Sequence, residues 1–178
     1  LWPLPRLILG ASVACQADVD HAVPQLLNCP AWLRAVSAEP LLEAIDLRRV
    51  RQSLPIDALT GGWALPHDSP HRQPGHRQEP RIHWVIVGGE SGPGARRFDI
   101  GWAHSLIAQC AAAGTACFVK QLGKNPVDWQ ASNVEGTAAL TSAVAGVGFP
   151  LKLRSPKGGD MSEWPRELRV REFPRGIE

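Results

Sequence analysis

Apolar residues in this chain gather into short, near-continuous runs. Four of them, Leu7–Val13, Trp32–Ser37, Trp84–Val87 and Ala116–Lys120, are rich in β-branched and aromatic side chains and end in glycine or polar residues. Runs without apolar–polar alternation mark strands covered on both faces, the habit of parallel sheets. Between them the period becomes helical. Val19, Val23, Leu26 and Leu27 fall on one helix face, with Asp18 or Asp20 as its cap and Asn28–Pro30 as its end. Pro24 is tolerable only in that helix's first turn, where its missing N–H has no partner to lose. Asp99 caps a second helix over Ile100–Ala113, with Ala103, Leu106, Ile107 and Cys110 as its buried stripe and Gly114 as its stop. Leu41–Leu47 reads as a short helical or turn segment, Lys157–Pro165 as a turn with a short helical cap, and Leu168–Pro174 as an extended ending. Strands alternating with crossovers predict an α/β fold of parallel (β/α) units.

Each run ends in groups that can do chemistry. The first ends at Ser12, the second at Ser37 and Glu39, the third at Gly88, Gly89, Glu90 and Ser91, and the fourth at Lys120 and Gln121. In a (β/α) barrel these ends converge on one mouth, where catalysis concentrates. Glu39, Glu90 and Lys120 are therefore the candidate catalytic groups: either carboxylate orients a substrate or moves a proton, and the ammonium meets an anion. Gly88, Gly89, Ser91, Arg96, Gln121 and Ser12 are the candidate ligand-binding residues. The structural alternative is an ion pair between Glu39 and Lys120 that closes the mouth. The loop Gly88–Arg97 has two readings as well. It is a phosphate cradle with Arg96 or Arg97 at a helix amino end, or a tight βα turn that needs glycine torsions. Its spacing is neither a Walker loop nor a Rossmann fingerprint.

Composition narrows the field. The chain has 178 residues, 44% hydrophobic and 20% charged, enough for one soluble α/β domain with a real core. A net charge of +2 is too small to imply nucleic acid or a membrane surface by itself. No apolar run is long enough to cross a bilayer, and the opening lacks the features of a signal peptide, so a cytoplasmic location is expected. The first residue is Leu1, not Met, which suggests a fragment or a processed product. Cys15, Cys29, Cys110 and Cys117 show no zinc or redox spacing and read as reduced thiols. Residues 62–81 form a Pro- and His-rich polar insertion, expected to be flexible. Its His67, His71 and His76 would suit a helical metal site only without the intervening prolines, so no metal is assigned. Residues 125–160 read as irregular. Arg48, Arg49 and Arg51 form a basic cluster, either a solvated face or an anion site.

The blocks LILGASV, LRAVSAEPLL, IHWVIVGGESGPGARRFD, CFVKQLG and KGGDMSEWPRELRVREFP follow one another in this order. Together they resemble the C-terminal part of a bacteriophage protein family of undefined function, the gp-thirty-seven / gp-sixty-eight type. The resemblance covers nearly the whole chain outside 62–81 and 128–150. It implies a radical-SAM-like enzyme, and hence the C-terminal half of a partial TIM-type barrel. For full-length members it also implies an iron–sulfur cluster and S-adenosylmethionine. The family's cysteine-rich segment is not among these residues, and the four cysteines do not match cluster ligands. Ala14 stands where the family usually has a glutamate. Glu39, Glu90, Ser91, Arg96, Lys120 and Gln121 match the family's blocks, without assigned roles.

Three functions follow. The chain is the rear half of such an enzyme, inactive alone and lacking a cofactor of its own. It is a module that binds a small-molecule phosphate or nucleic acid through the glycine loop and the arginine cluster. Or it is a decayed remnant. Half a barrel leaves two strand edges open, so partnership with a missing N-terminal half-barrel, self-association or aggregation is expected.

Overall fold

The four apolar runs pair in chain order into one parallel sheet. A computed structural model describes residues 5–63, 80–128 and 148–177. Its elements are β1 (Ile8–Ser12), α1 (Gln16–Asn28), β2 (Leu33–Ala38), β3 (Ile56–Asp57), β4 (Gly62–Trp63), β5 (Trp84–Gly88), β6 (Phe98–Asp99), α2 (Ile100–Ala113), β7 (Ala116–Gln121), β8 (Pro126–Asp128) and β9 (Phe149–Pro150). Two 3-10 turns, Met161–Glu163 and Arg166–Leu168, follow. The main sheet has the order β1-β2-β5-β7 with every pair parallel. The parallel (β/α) expectation is met to that extent; the described residues form an open sheet and no closed barrel.

Register separates the two faces. Ser12, Ser37, Ile86 and Phe118 stand in one row across the sheet, so their side chains share a face. The alternate residues Val36, Val85, Val87, Cys117 and Val119 face the other way and are buried. They pack with Val19, Val23 and Leu26 of α1 and with Ala103, Leu106 and Cys110 of α2 in one apolar cluster. Helices therefore cover one face, and no described helix covers the other. This explains why β1 is less buried than its apolar run suggested. It is the edge strand, and Gly10 and Ser12 on its helix-free side are exposed.

Helix α2 has its expected bounds: Asp99 accepts from the Gly101 N–H at 2.8 Å, and Gly114 ends the helix at φ 65°. Helix α1 differs from expectation. Cys15 is its N-cap, and neither aspartate takes that place. Asp18 lies in the first turn and reaches back to the Ala14 N–H at 2.8 Å, a bond that lowers its pKa. Pro24 sits in the helix interior. Burial of Val19, Val23, Leu26 and Leu27 holds the helix against a proline penalty of about 3 kcal/mol.

Leu41–Leu47 is not helical, because its backbone bonds elsewhere. Leu41 N–H donates to Gly88 O and Leu42 N–H to Ala14 O, at 3.0 and 2.9 Å. Gln16 and Gln109 clamp the rest: Asp46 N–H donates to Gln16 Oε1 and Leu47 N–H to Gln109 Oε1. With Leu41, Ile45 and Leu47 buried, the segment crosses the strand ends as an apolar strap.

Within the segment expected to be irregular, the described residues include two short strands: β8 pairs parallel with β6 and antiparallel with β9, and residues 151–160 form no strand. Most of the 62–81 insertion, with its three histidines, falls on residues 64–79, outside the described residues. The expectation of two open edges is corrected at β7. Val170–Glu172 runs antiparallel along its outer side, with Val119 N–H donating to Val170 O and Glu172 N–H to Cys117 O, both at 2.8 Å. Among the described residues, β1's outer edge has no strand partner.

Arg34, only 8% exposed, donates to the carbonyls of Leu26 in α1 and of Cys29 just past its end, at 3.1 and 2.6 Å. Its backbone N–H donates to His83 Nδ1 at 3.1 Å, which fixes that nitrogen as an unprotonated acceptor. Burial, then the charges of Arg81 and Arg34, holds the imidazole below its usual 6.5. Above that value the ring is neutral whether folded or unfolded. Below it the unfolded chain takes up a proton that the folded chain resists, so stability falls with pH. Urea denaturation at about pH 7.5 and about pH 5 should give a lower midpoint in acid, and His83→Gln should shrink the difference.

Candidate active site on the helix-free face

Two carboxylates stand at the strand ends, each held differently. Glu39 directly follows β2, and its peptide bond to Pro40 is cis. Its side chain is 16% exposed and reaches across β5 to Lys120, whose Nζ lies 3.1 Å from Oε1 and 3.2 Å from Oε2. The crossing is possible because the intervening residue is Gly88. A Cβ there would stand 2.8 Å from Glu39 Oε1. The register also shifts at this point: Val87 pairs with Val119, but Gly88 pairs with Gln121. Lys120 is thus an extra residue in a bulge, the kind of irregularity that re-aims a side chain. Lys120 is 56% exposed, so the pair contributes no more than about 1 kcal/mol to stability.

Glu90 pairs with Arg96. Oε2 accepts from the Arg96 backbone N–H and from Nε, and Oε1 accepts from Nη2, each at 2.9 Å. The guanidinium's hydrogen bonds, then the backbone one, hold the Glu90 carboxyl down to about 2. The loop is pinned underneath by backbone. Gly89 N–H donates to Gln121 O at 3.0 Å, and Gln121 Nε2 donates to Gly89 O at 3.1 Å. A Cβ at Gly89 would collide with the Leu122 carbonyl. Gly123, at φ 78°, lies against the Glu90 backbone, whose carbonyl accepts from Lys124 N–H at 2.8 Å. Leu122 N–H donates to Gly158 O at 2.9 Å, and Trp164 Nε1 donates to the same oxygen at 3.0 Å. The loops after β5 and β7 and the KGGD turn form one clamped layer.

Of the sequence candidates, Glu39 and Lys120 meet, with Gly88 between them. Ser12 lies in the same surface row as Ser37, on the exposed end of β1. Gly89 and Gln121 lock backbone to backbone. Glu90 and Arg96 engage each other, and Ser91 sits half-buried beside them. Sequence reading missed Arg171. Its Nη2 donates to Lys120 O and Gly159 O at 3.2 and 3.4 Å. Its guanidinium carbon lies 5.4 Å from the Phe118 ring centre and 5.6 Å from that of Trp164. The only signal was the alternation Leu168-Arg169-Val170-Arg171, which marked a strand-like tail but named no target.

The phosphate reading meets two obstacles. Arg96 is engaged by Glu90, and the Asp99 carboxylate already occupies the positive end of α2. In the basic cluster, Arg48 pairs with Asp57 at 3.0 Å and Arg51 approaches Asp20 at 4.0 Å. The donor set does not fit an iron–sulfur cluster. Cys15 and Cys29 lie at opposite ends of α1, and Cys110 and Cys117 are buried in α2 and β7. A cluster needs thiolates that converge, and the described residues hold no metal-capable group of three or more side chains. No described helix is long and apolar enough to cross a membrane.

Residues 1–150 match the family described as "Protein of unknown function (DUF5131)", and the chain belongs to that family. No curated protein and no solved structure matches it.

Two outcomes test this geometry. The Glu90 carboxyl carbon, followed by NMR, should titrate with a midpoint of about 2. Gly89→Ala should cost about 1–3 kcal/mol in urea denaturation, because the Leu122 carbonyl must move.

Proposed function

We propose, with membership of that family as the premise, that this chain forms the ligand-facing wall of a radical-SAM-like (β/α) enzyme of phage type. Its site is the carboxyl half of the helix-free sheet face. The observation that carries the reading is the Glu39–Lys120 pair bridging over Gly88. A half-exposed pair adds little stability, yet a glycine without a side chain and a bulge both accommodate it. Such an arrangement is what a ligand site requires: charged groups held in place but reachable. In this reading Lys120 meets an anionic or carbonyl oxygen of the ligand, and Glu39 orients the ammonium or accepts a proton. The hydroxyls of Ser12 and Ser37 lie on the same face and offer further hydrogen bonds.

The iron–sulfur cluster implied by the family resemblance finds no ligands among the described residues, so no step is assigned to it. The chain alone is proposed to be inactive and to work with further barrel units, in the cytoplasm, where its free thiols stay reduced.

The test uses S-adenosylmethionine as probe against the full chain, followed by amide NMR shifts. Shifts should gather at Ser12, Ser37, Gly88–Ser91 and Lys120–Gln121, and Lys120→Met should abolish them while Lys124→Met does not. Shifts confined to Arg48–Arg51, with the inner face silent, would contradict the reading.

A further inference from the structure

The chain's ending makes contacts that neither the fold nor the proposed site requires. After bonding to β7, the tail leaves the ladder at Glu172. Trp84 Nε1 donates to the Glu172 carbonyl at 3.0 Å, so that oxygen is turned away from β7. The Glu172 carboxylate takes its place, accepting from the Cys117 N–H at 3.1 Å. Phe173 then lies over the helix-free face, its ring centre 5.5 Å from Trp84 and 5.4 Å from Phe118. Trp84 and Phe118 are half-buried, on the same face as Ser37 and Ile86. The tail therefore roofs the amino half of the face and leaves the carboxyl half, with Glu39 and Lys120, open.

Between the buried Leu168 and Pro174, and beyond Val170 at the margin of the core, the attachment of this segment is shallow. Backbone bonds to β7 number two, Val119 to Val170 and Glu172 to Cys117. Phe173 stays 56% exposed while stacked on its neighbours. Segments with few buried contacts and solvent-exposed hydrogen bonds open without global unfolding. Arg171, in the middle of the segment, donates to the carbonyl of Lys120 and, through Nε, to that of Val119 at 3.2 and 3.4 Å. The same backbone carries the ammonium that meets Glu39.

We propose that Val170–Phe173 is a releasable strap whose docking fixes Lys120 through Arg171, so that closure of β7's outer edge is read out at the Glu39–Lys120 pair. Docked, the strap seals the edge, covers the aromatic floor and holds the bulged strand end that aims Lys120. Released, it exposes edge and floor together and frees the lysine. Arg171 is a positioning residue in this scheme, acting through the Lys120 backbone. The functional weight of the strap rests on the ligand-site reading above; the coupling itself does not.

The test combines amide hydrogen exchange with competitive acetylation of lysines by acetic anhydride on the full chain. Phe173→Ala removes an exposed ring and leaves the core intact. It should lower protection at the Val119 and Glu172 amides by up to about tenfold, the size of one or two lost aromatic pairs, with Val85 unchanged. Lys120 should become several-fold more reactive, roughly in step with the loss of protection, with Lys124 as the internal reference. Arg171→Ala should raise Lys120 reactivity likewise. Glu172→Gln keeps an acceptor for the Cys117 N–H and should behave as the parent. Strap amides that exchange only with Val36 and Val85, in a single global opening, would overturn the proposal. So would Lys120 reactivity unchanged in Phe173→Ala despite lost protection. Neither result touches the ligand footprint, so the two claims fail separately.

Discussion

A carboxylate that crosses a strand needs a strand with no side chain beneath it. Gly88 meets that need: Glu39 passes 2.8 Å from where its Cβ would be, too close for a side chain, and reaches Lys120 two strands away. Most of the surrounding structure serves this layer. Leu41 N–H caps the Gly88 carbonyl from above, Gly89 meets the Leu122 carbonyl too closely for any side chain, and Gly158 closes the layer behind Leu122. Backbone lies directly on backbone here, which only glycine allows. The strand ends are thereby rigid, as a site that must present fixed charges requires.

The two ion pairs of this layer divide the work. Glu90 and Arg96 are joined by a side-chain fork and a backbone bond, which shapes the loop and keeps the carboxylate ionised. Glu39 and Lys120 share a simpler contact, with the ammonium still open to solvent. A group committed to its own loop is a poor partner for a ligand; an ammonium that stays more than half open to solvent can exchange its partner. That contrast separates two carboxylates that looked alike in sequence.

The four strands of the main sheet and α2 were legible because their signals are local: apolar runs ending in glycine or polar residues, an Asp cap, a Gly stop. What escaped detection depended on distant partners. Pro24 argued for a helix start, but tertiary burial of Val19 and Val23 carried the helix past it. Leu41–Leu47 had an apolar spacing compatible with a helix, yet its N–H groups bond to Gly88, Ala14 and two glutamines far away in sequence. The edge position of β1 and the tail on β7 follow from sheet order, which no local pattern encodes. For the site, Glu39 and Lys120 were legible as a pair, and their alternative reading as a mouth-closing salt bridge was visible as well. The role of Gly88 was not, since a turn glycine and a glycine making room for a carboxylate are the same letter. Nor could the strand-end glutamate Glu90 be told from Glu39 before Arg96 was seen to hold it.

Glu39 and Lys120 are assigned to a ligand site, not to the stability of the fold. A double-mutant cycle of Glu39→Gln and Lys120→Met, read by urea denaturation, isolates their coupling energy. A coupling of about 0–1 kcal/mol is expected, the value of an exposed pair that remains available to a ligand. A coupling of about 2 kcal/mol or more would make the pair a structural closure of the sheet's mouth and contradict the assignment of a site there.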